Sequence, residues 1–215
     1  MTFLFADIWG FPAWTTAVPA TEVLSMLQQL FGHFDRESTL FGLYKLCTIG
    51  DAYVAVSEPV TPDPRPPYNP AQGASRALDL ANSMIEHIKT LREKLKFPNL
   101  DMRIGLHFGE CVGGVIGSGR LRYDLWGMDV LTGNMMEANG VPGRITVSEN
   151  LKIFLNASFP HRFEFTFHKD VLIMDNVVVP AYLLEDPKQK IFEADLDISG
   201  GGDGLVGGCG SETAG

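Results

Sequence analysis

The succession of two-residue and three-to-four-residue apolar periods along the 215-residue chain predicts an α/β (α+β) sandwich, a ferredoxin-like βαββαβ core with an extra C-terminal hairpin. Three observations carry this expectation. A short apolar strand opens the chain and runs into helical spacing, an alternating stretch turns back on itself at Gly50-Asp51, and a second long helical stretch leads into further apolar strands.

The first strand covers residues 2–8. Residues 19–41 place Val23, Leu24, Leu27, Leu30, Phe31 and Phe34 at helical spacing, with Pro12 and Thr21 as helix-start residues. Residues 43–57 alternate around Gly50-Asp51, which predicts a hairpin with Asp51 at its tip. Residues 58–70 hold six prolines in thirteen positions and read as a stiff surface loop. Residues 71–95 are helical, since Ala77, Leu80, Ala81, Met84, Ile85, Ile88 and Leu91 share one face. Residues 100–108 and 110–116 are expected to form a strand pair around Gly109, with Gly113-Gly114 marking a close backbone approach or a bulge. A helix over 129–139 ends at Gly140, and residues 144–147 make a strand. Residues 148–155 form a short helix capped by Ser148 with Glu149 in its first turn, and 163–167 with 171–184 make the last hairpin. Residues 1–186 are read as one domain. From 187 to 215 glycines crowd the chain and hydrophobicity falls, the pattern of a disordered tail in which Ile191, Phe192 and Leu196 form a weak docking segment.

Composition narrows the function. With 45% hydrophobic and 20% charged residues, the chain supports one core. A net charge of −9 argues against a nucleic-acid surface, which needs clustered Lys and Arg to displace counterions. Cys47, Cys111 and Cys209 show neither paired spacing nor a histidine rhythm, so neither a disulfide frame nor a zinc site is indicated and a reducing compartment fits. No apolar run reaches the ~20 residues that span a bilayer. The expected setting is a cytoplasmic domain making no membrane contact of its own, with a larger membrane-bound signalling parent left open.

Two aspartates carry the chemistry. In Phe5-Ala6-Asp7-Ile8-Trp9-Gly10-Phe11 and Thr48-Ile49-Gly50-Asp51-Ala52-Tyr53, each stands where an apolar strand meets a glycine-bearing turn. A lone aspartate there is usually a turn former. Two that converge make a hard-oxygen site suited to Mg²⁺. The turn over Ile8, Trp9, Gly10 and Phe11 can present backbone N–H groups to an anion, and Arg103, a cation inside an apolar strand, demands an anionic partner. His107 and Lys45 read as structural, Lys45 facing away from the neighbours of Cys47.

These segments resemble the class III nucleotide cyclases, which make cyclic AMP or cyclic GMP from the triphosphate. The similarity also takes in Tyr44-Lys45-Leu46-Cys47, Met102-Arg103-Ile104-Gly105-Leu106-His107-Phe108-Gly109, Arg122-Tyr123-Asp124-Leu125-Trp126-Gly127-Met128-Asp129-Val130 and Glu137-Ala138-Asn139-Gly140-Val141-Pro142-Gly143-Arg144-Ile145. It implies a class III nucleotide cyclase fold, a nucleoside triphosphate substrate, and two catalytic domains paired head to tail with the active site across their interface. It further implies that Asp7, Asp51 and the backbone of Ile8 hold two Mg²⁺ or Mn²⁺ ions, one lowering the 3′-hydroxyl pKa and both neutralising the triphosphate. Arg103, Gly50 and the turn from Ile8 to Phe11 would hold phosphates.

The family pattern breaks on one side of the site. Its base-reading positions fall at Cys47 and Asp124, which match neither the Lys and Asp of adenylyl cyclases nor the Glu and Cys of guanylyl cyclases. The asparagine and arginine that serve the transition state are replaced by Leu131 and Met135, which have nothing to donate. A phosphate-gripping lysine is missing near Met174-Asp175-Asn176, and Pro12 stands where the family often has threonine. The resemblance thus implies the metal-donating half of a heterodimeric or pseudo-heterodimeric cyclase, nearly inactive as a homodimer because each missing donor costs roughly 10²-fold or more. Arg122-Tyr123-Asp124 and the following residues resemble metal-donating domains of protist and algal guanylyl cyclases, which favours GTP over ATP. The rival functions are a catalytically inactive regulatory module controlling a partner cyclase and a polymerase-like or diguanylate-type transferase. The single carboxylate of Gly50-Asp51-Ala52 argues against the transferase.

Overall fold

The computed structural model describes residues 1–57, 68–119 and 121–185. In chain order the elements are β1 (Thr2–Trp9), α1 (Phe11–Thr15), α2 (Ala20–Phe41), β2 (Tyr44–Ile49), β3 (Ala52–Val56), α3 (Pro70–Leu95), β4 (Asp101–Phe108), β5 (Val112–Ile116), β6 (Arg122–Trp126), α4 (Met128–Ala138), β7 (Ile145–Ser148), α5 (Glu149–Ser158), β8 (Phe165–Met174) and β9 (Val177–Leu184). Seven strands form one sheet in the order β2-β3-β1-β4-β7-β9-β8, and β5 and β6 form a separate ribbon. The neighbours β2-β3-β1-β4, crossed by α2 and α3, are the expected ferredoxin-like unit. β7 extends it parallel to β4, and β9 and β8 continue it antiparallel.

Period-two alternation sorts the central strands onto two faces. Leu4, Ala6 and Ile8 of β1 stand level with Ala55 and Tyr53 of β3 and with Leu106, Ile104 and Met102 of β4. All belong to the main core, against Met26, Leu30 and Phe34 of α2, the apolar stripe of α3, and Leu151 and Leu155 of α5. The opposite face carries Phe3, Phe5 and Asp7 of β1 level with His107, Gly105 and Arg103 of β4. Helix α4 lies on that second face, where Gly133 comes against the Phe5 ring.

The β2–β3 hairpin forms as expected, with Ile49 paired to Ala52 and Gly50-Asp51 between them. A bulge between Lys45 and Cys47 separates residues that strict alternation would put on one face. Lys45 turns to Asp35 on α2 at 2.7 Å and lies 5.1 Å from the Tyr53 ring centroid, which gives it the expected structural role.

Three expectations are corrected. Residues 110–116 do not pair with 100–108, because both edges of β4 are taken by β1 and β7, and the Met1 and Gly109 backbones bond to each other. β5 pairs instead with β6, a strand the periodicity had not revealed, and Gly113 is the close approach, lying under the Tyr123 hydroxyl. The last hairpin turns at Asp175-Asn176 rather than near residue 169. Bulges at Phe167/Lys169 and Leu172/Met174 interrupt the alternation of β8 and hide its continuity, and Asp175 adopts φ 48° in the turn. Pro70 opens α3 rather than closing the preceding loop, since a first-turn proline loses no helical hydrogen bond. Asn69 caps it by accepting from Ala71 N and Gln72 N. The rest of the proline-rich stretch, residues 58–67, and the glycine-rich tail lie outside the described residues.

Candidate active site

The site lies at the end of β1 on the α4 face. Asp7 stands opposite Arg103 in the β1–β4 register, and their side chains approach to 3.4 Å between Asp7 Oδ2 and Arg103 Nη2. The Arg103 guanidinium carbon sits 5.3 Å from the centroid of the half-exposed Trp9 ring, a cation–π contact from the same strand face. Gly10 turns the chain from β1 into α1 with φ 82°, and a side chain there would collide with the Asn99 carbonyl. Ile8, two residues before that turn, points its side chain into the core and leaves only its backbone to the site.

Asp51 comes from the β2–β3 tip. Burial first, and then the charge of Asp7, push the Asp51 carboxyl above the ordinary carboxylate range, while its own backbone hydrogen bond and Arg103 pull it back. Two aspartates remote in sequence therefore feel one another's charge near the end of β1.

A third carboxylate completes the cluster. Arg103 Nε donates to Glu137 Oε1 at 2.6 Å, and Glu137, on α4, is only 8% exposed. Burial raises the Glu137 pKa, Arg103 opposes the rise, and Asp7 and Asp51 add to it. Sequence reasoning assigned Glu137 no role. The available signal was Gly105, two residues after Arg103, where any side chain would collide with the Glu137 backbone.

Among the described residues no three His, Cys, Asp or Glu side chains converge as a ready-made cation cage. Asp7 and Asp51 nevertheless suit Mg²⁺ or Mn²⁺, because these ions bind through one or two carboxylates and complete their shells with substrate phosphates and water. Burial, and after it the charge of Asp7, disfavours the ionised Asp51 carboxyl, and a divalent cation would relieve both.

The positions that depart from the family pattern fall in two places. Burial raises the Cys47 thiol pKa, and the charges of Arg122 and Asp124 act on it next, with opposite signs. Arg122 Nη2 pairs with Asp124 Oδ2 at 3.0 Å. Leu131 and Met135 point instead into an apolar cluster with Met136, Val171, Ile173, Val179 and Ala181.

His107 is structural, as expected. It is buried, its Nδ1 lies 2.6 Å from Ser148 Oγ, and its Nε2 lies 3.2 Å from Asp129 Oδ1, off the line of a good hydrogen bond. Burial holds its pKa below the usual imidazole value.

Residues 1–186 match the family model described as "Adenylate and Guanylate cyclase catalytic domain". Among curated proteins, the chain is 60% identical over 189 residues to guanylate cyclase alpha of Plasmodium falciparum, covering 88% of this chain and 4% of that protein. It is 57% identical over 199 residues to a guanylate cyclase of Toxoplasma gondii, covering 93% and 4%. The chain thus spans a small part of these relatives. Among solved structures, the guanylate cyclase domain of RhGC from Catenaria anguillulae, in complex with GTP, superposes with a TM-score of 0.72 at 25% identity, covering 86% of this chain and 94% of that one.

Proposed function

Because the chain belongs to the family of adenylate and guanylate cyclase catalytic domains, we propose that it is the metal-holding half of a paired cyclase that converts GTP to 3′,5′-cyclic GMP and pyrophosphate. The observation that supports this reading is the Asp7–Arg103 pair at the end of β1, with Asp51 close enough for its carboxyl to feel both charges and with Leu131 and Met135 committed to apolar packing. The half that holds metal is intact, and the positions that would serve the transition state are filled by side chains without donors.

In this reading the carboxylates of Asp7 and Asp51, with the Ile8 carbonyl, would hold two Mg²⁺ or Mn²⁺ ions, which would supply acidification of the 3′-hydroxyl and neutralisation of phosphate charge. Arg103 and the backbone from Ile8 to Phe11, with Gly50, orient the triphosphate. The 3′-oxygen attacks the α-phosphorus in line as the bond to pyrophosphate breaks.

Preference for GTP is supported by Asp124 and Arg122. A carboxylate accepts from guanine N1–H and N2–H but also from the adenine amino group, so the preference rests on the guanidinium, which donates to guanine O6 and N7 whereas adenine lacks O6. Need for a second domain is supported by the exposed apolar residues Val112, Val115 and Ile116 of the β5–β6 ribbon and Phe167, Leu172 and Val178 of β8–β9, side chains that a partner surface could cover. No helix among the described residues is long and apolar enough to cross a membrane. We place the domain, residues 1–186, on the cytoplasmic side of its parent protein, where the triphosphate is found.

The test is Mn²⁺-dependent cyclic nucleotide output from the chain alone and mixed with a partner half that carries the missing asparagine and arginine. Output should appear in the mixture, with cyclic GMP exceeding cyclic AMP. A mixture that stays silent, while each half binds the other, favours the regulatory-module reading.

A further inference from the structure

Glu137 holds Arg103 by one edge only. The guanidinium is planar with five donors, and the 2.6 Å bond to Glu137 uses the Nε–H, leaving the Nη groups at the far end. Trp9 lies beside the same group, and Asp7 is reached only by Nη2 at 3.4 Å, longer than a tight charge-assisted bond. An arginine facing Asp7 with no other anion nearby would close on it with two parallel bonds and occupy the carboxylate oxygens. Glu137 competes for the guanidinium from the opposite edge. Its own place is fixed by backbone, because α4 approaches β4 through Gly105, and Gly140 sits against the Arg103 stem.

From this geometry we propose that Glu137 is a positioning residue: it turns the Arg103 guanidinium away from full pairing with Asp7 and points its Nη groups at the phosphates of the substrate. The proposal rests on the reading of Arg103 as a phosphate ligand. Glu137 touches no substrate atom in this role and acts through Arg103.

The experiment measures pyrophosphate affinity calorimetrically, and kcat and KM for GTP, in the chain assembled with its partner half. The variants are Glu137→Gln, Glu137→Leu, Arg103→Met and the double variant Arg103→Met/Glu137→Leu. Glu137→Leu should weaken pyrophosphate binding and lower kcat by about tenfold to a hundredfold, the range for losing a charged hydrogen bond. Glu137→Gln, which keeps an acceptor facing Nε, should recover part of that loss. The double variant should bind pyrophosphate no worse than Arg103→Met alone, because a residue acting through Arg103 has nothing to add once the arginine is gone.

Independent, additive losses in the double variant would assign Glu137 to helix packing and overturn the proposal. A loss in Arg103→Met with none in Glu137→Leu would also overturn it, while leaving the phosphate role of Arg103 intact. Unchanged pyrophosphate affinity in Arg103→Met would remove the underlying reading as well. Should Glu137→Leu fail to fold, Glu137→Gln alone decides: a loss of about threefold to tenfold is expected from replacing a charged acceptor by a neutral one, and no loss contradicts the proposal.

Discussion

The two faces of the central sheet are made from the same strands yet carry different kinds of residue. On one face Leu4, Ala6, Ile8, Tyr53, Met102 and Ile104 disappear under α2, α3 and α5. On the other, the intervening positions Asp7 and Arg103 pair with each other, and Arg103 pairs with Glu137 of α4. One face is closed because apolar burial stabilises it, at roughly 25 cal/mol per Å². The other carries two carboxylates, Asp7 and Glu137, on one guanidinium, with the charge of Asp51 also felt there, an arrangement that burial and like charge both disfavour. A domain that gained nothing from that cluster would be more stable without it. Substitutions on the first face should therefore register in folding, and those on the second in chemistry.

The largest effect on folding is expected at Phe34, which is fully buried among α2, α3 and β3. Phe34→Ala should cost about 3–5 kcal/mol in denaturant unfolding, with activity falling only as the folded fraction falls. A cost below about 1 kcal/mol would mean that the helical face is not the main core.

Gly105→Ala tests the boundary between the faces. A methyl group there meets the backbone of Glu137 and displaces α4, so about 1–3 kcal/mol of stability should be lost. Activity should drop further than that loss explains, because Glu137 and Arg103 move apart. Unchanged activity in the folded variant would separate α4 from the site.

The smallest effect is electrostatic. Because the folded pKa of Asp51 is raised, its contribution to stability is fully present below the unfolded carboxylate pKa, about 4, and is lost as pH rises through the folded value. In the metal-free chain Asp51→Asn should match the wild type near pH 4 and be the more stable of the two near neutrality. The gain should stay below about 1 kcal/mol, since solvent screens a half-exposed carboxylate. A variant less stable than the wild type at neutral pH would show that Asp51 is a structural turn former.

Legibility in the sequence followed the same division. The closed face was readable because helical spacing at Leu27, Leu30 and Phe34 and alternation at Leu4, Ala6 and Ile8 are local patterns. Asp7, Asp51 and Arg103 stood out as candidates because charge at a strand end or inside a strand contrasts with apolar neighbours. The β5–β6 pairing was not, since β5 is largely exposed around Gly113-Gly114 and only Leu125 of β6 is buried, too little to impose a readable alternation. The long β8 was masked by its two bulges. Glu137 escaped because a carboxylate on an amphipathic helix looks like solvated surface. Only the sheet register and the absence of a side chain at Gly105 bring it to Arg103.

The central claim is that Asp7 and Asp51 together hold the divalent ions of a bound triphosphate. A Mn²⁺ titration followed by water relaxation, on the assembled cyclase with a non-cyclisable GTP analogue, tests it directly. Asp7→Asn and Asp51→Asn should each weaken Mn²⁺ binding by about tenfold or more. Wild-type Mn²⁺ affinity in either folded variant would contradict the account.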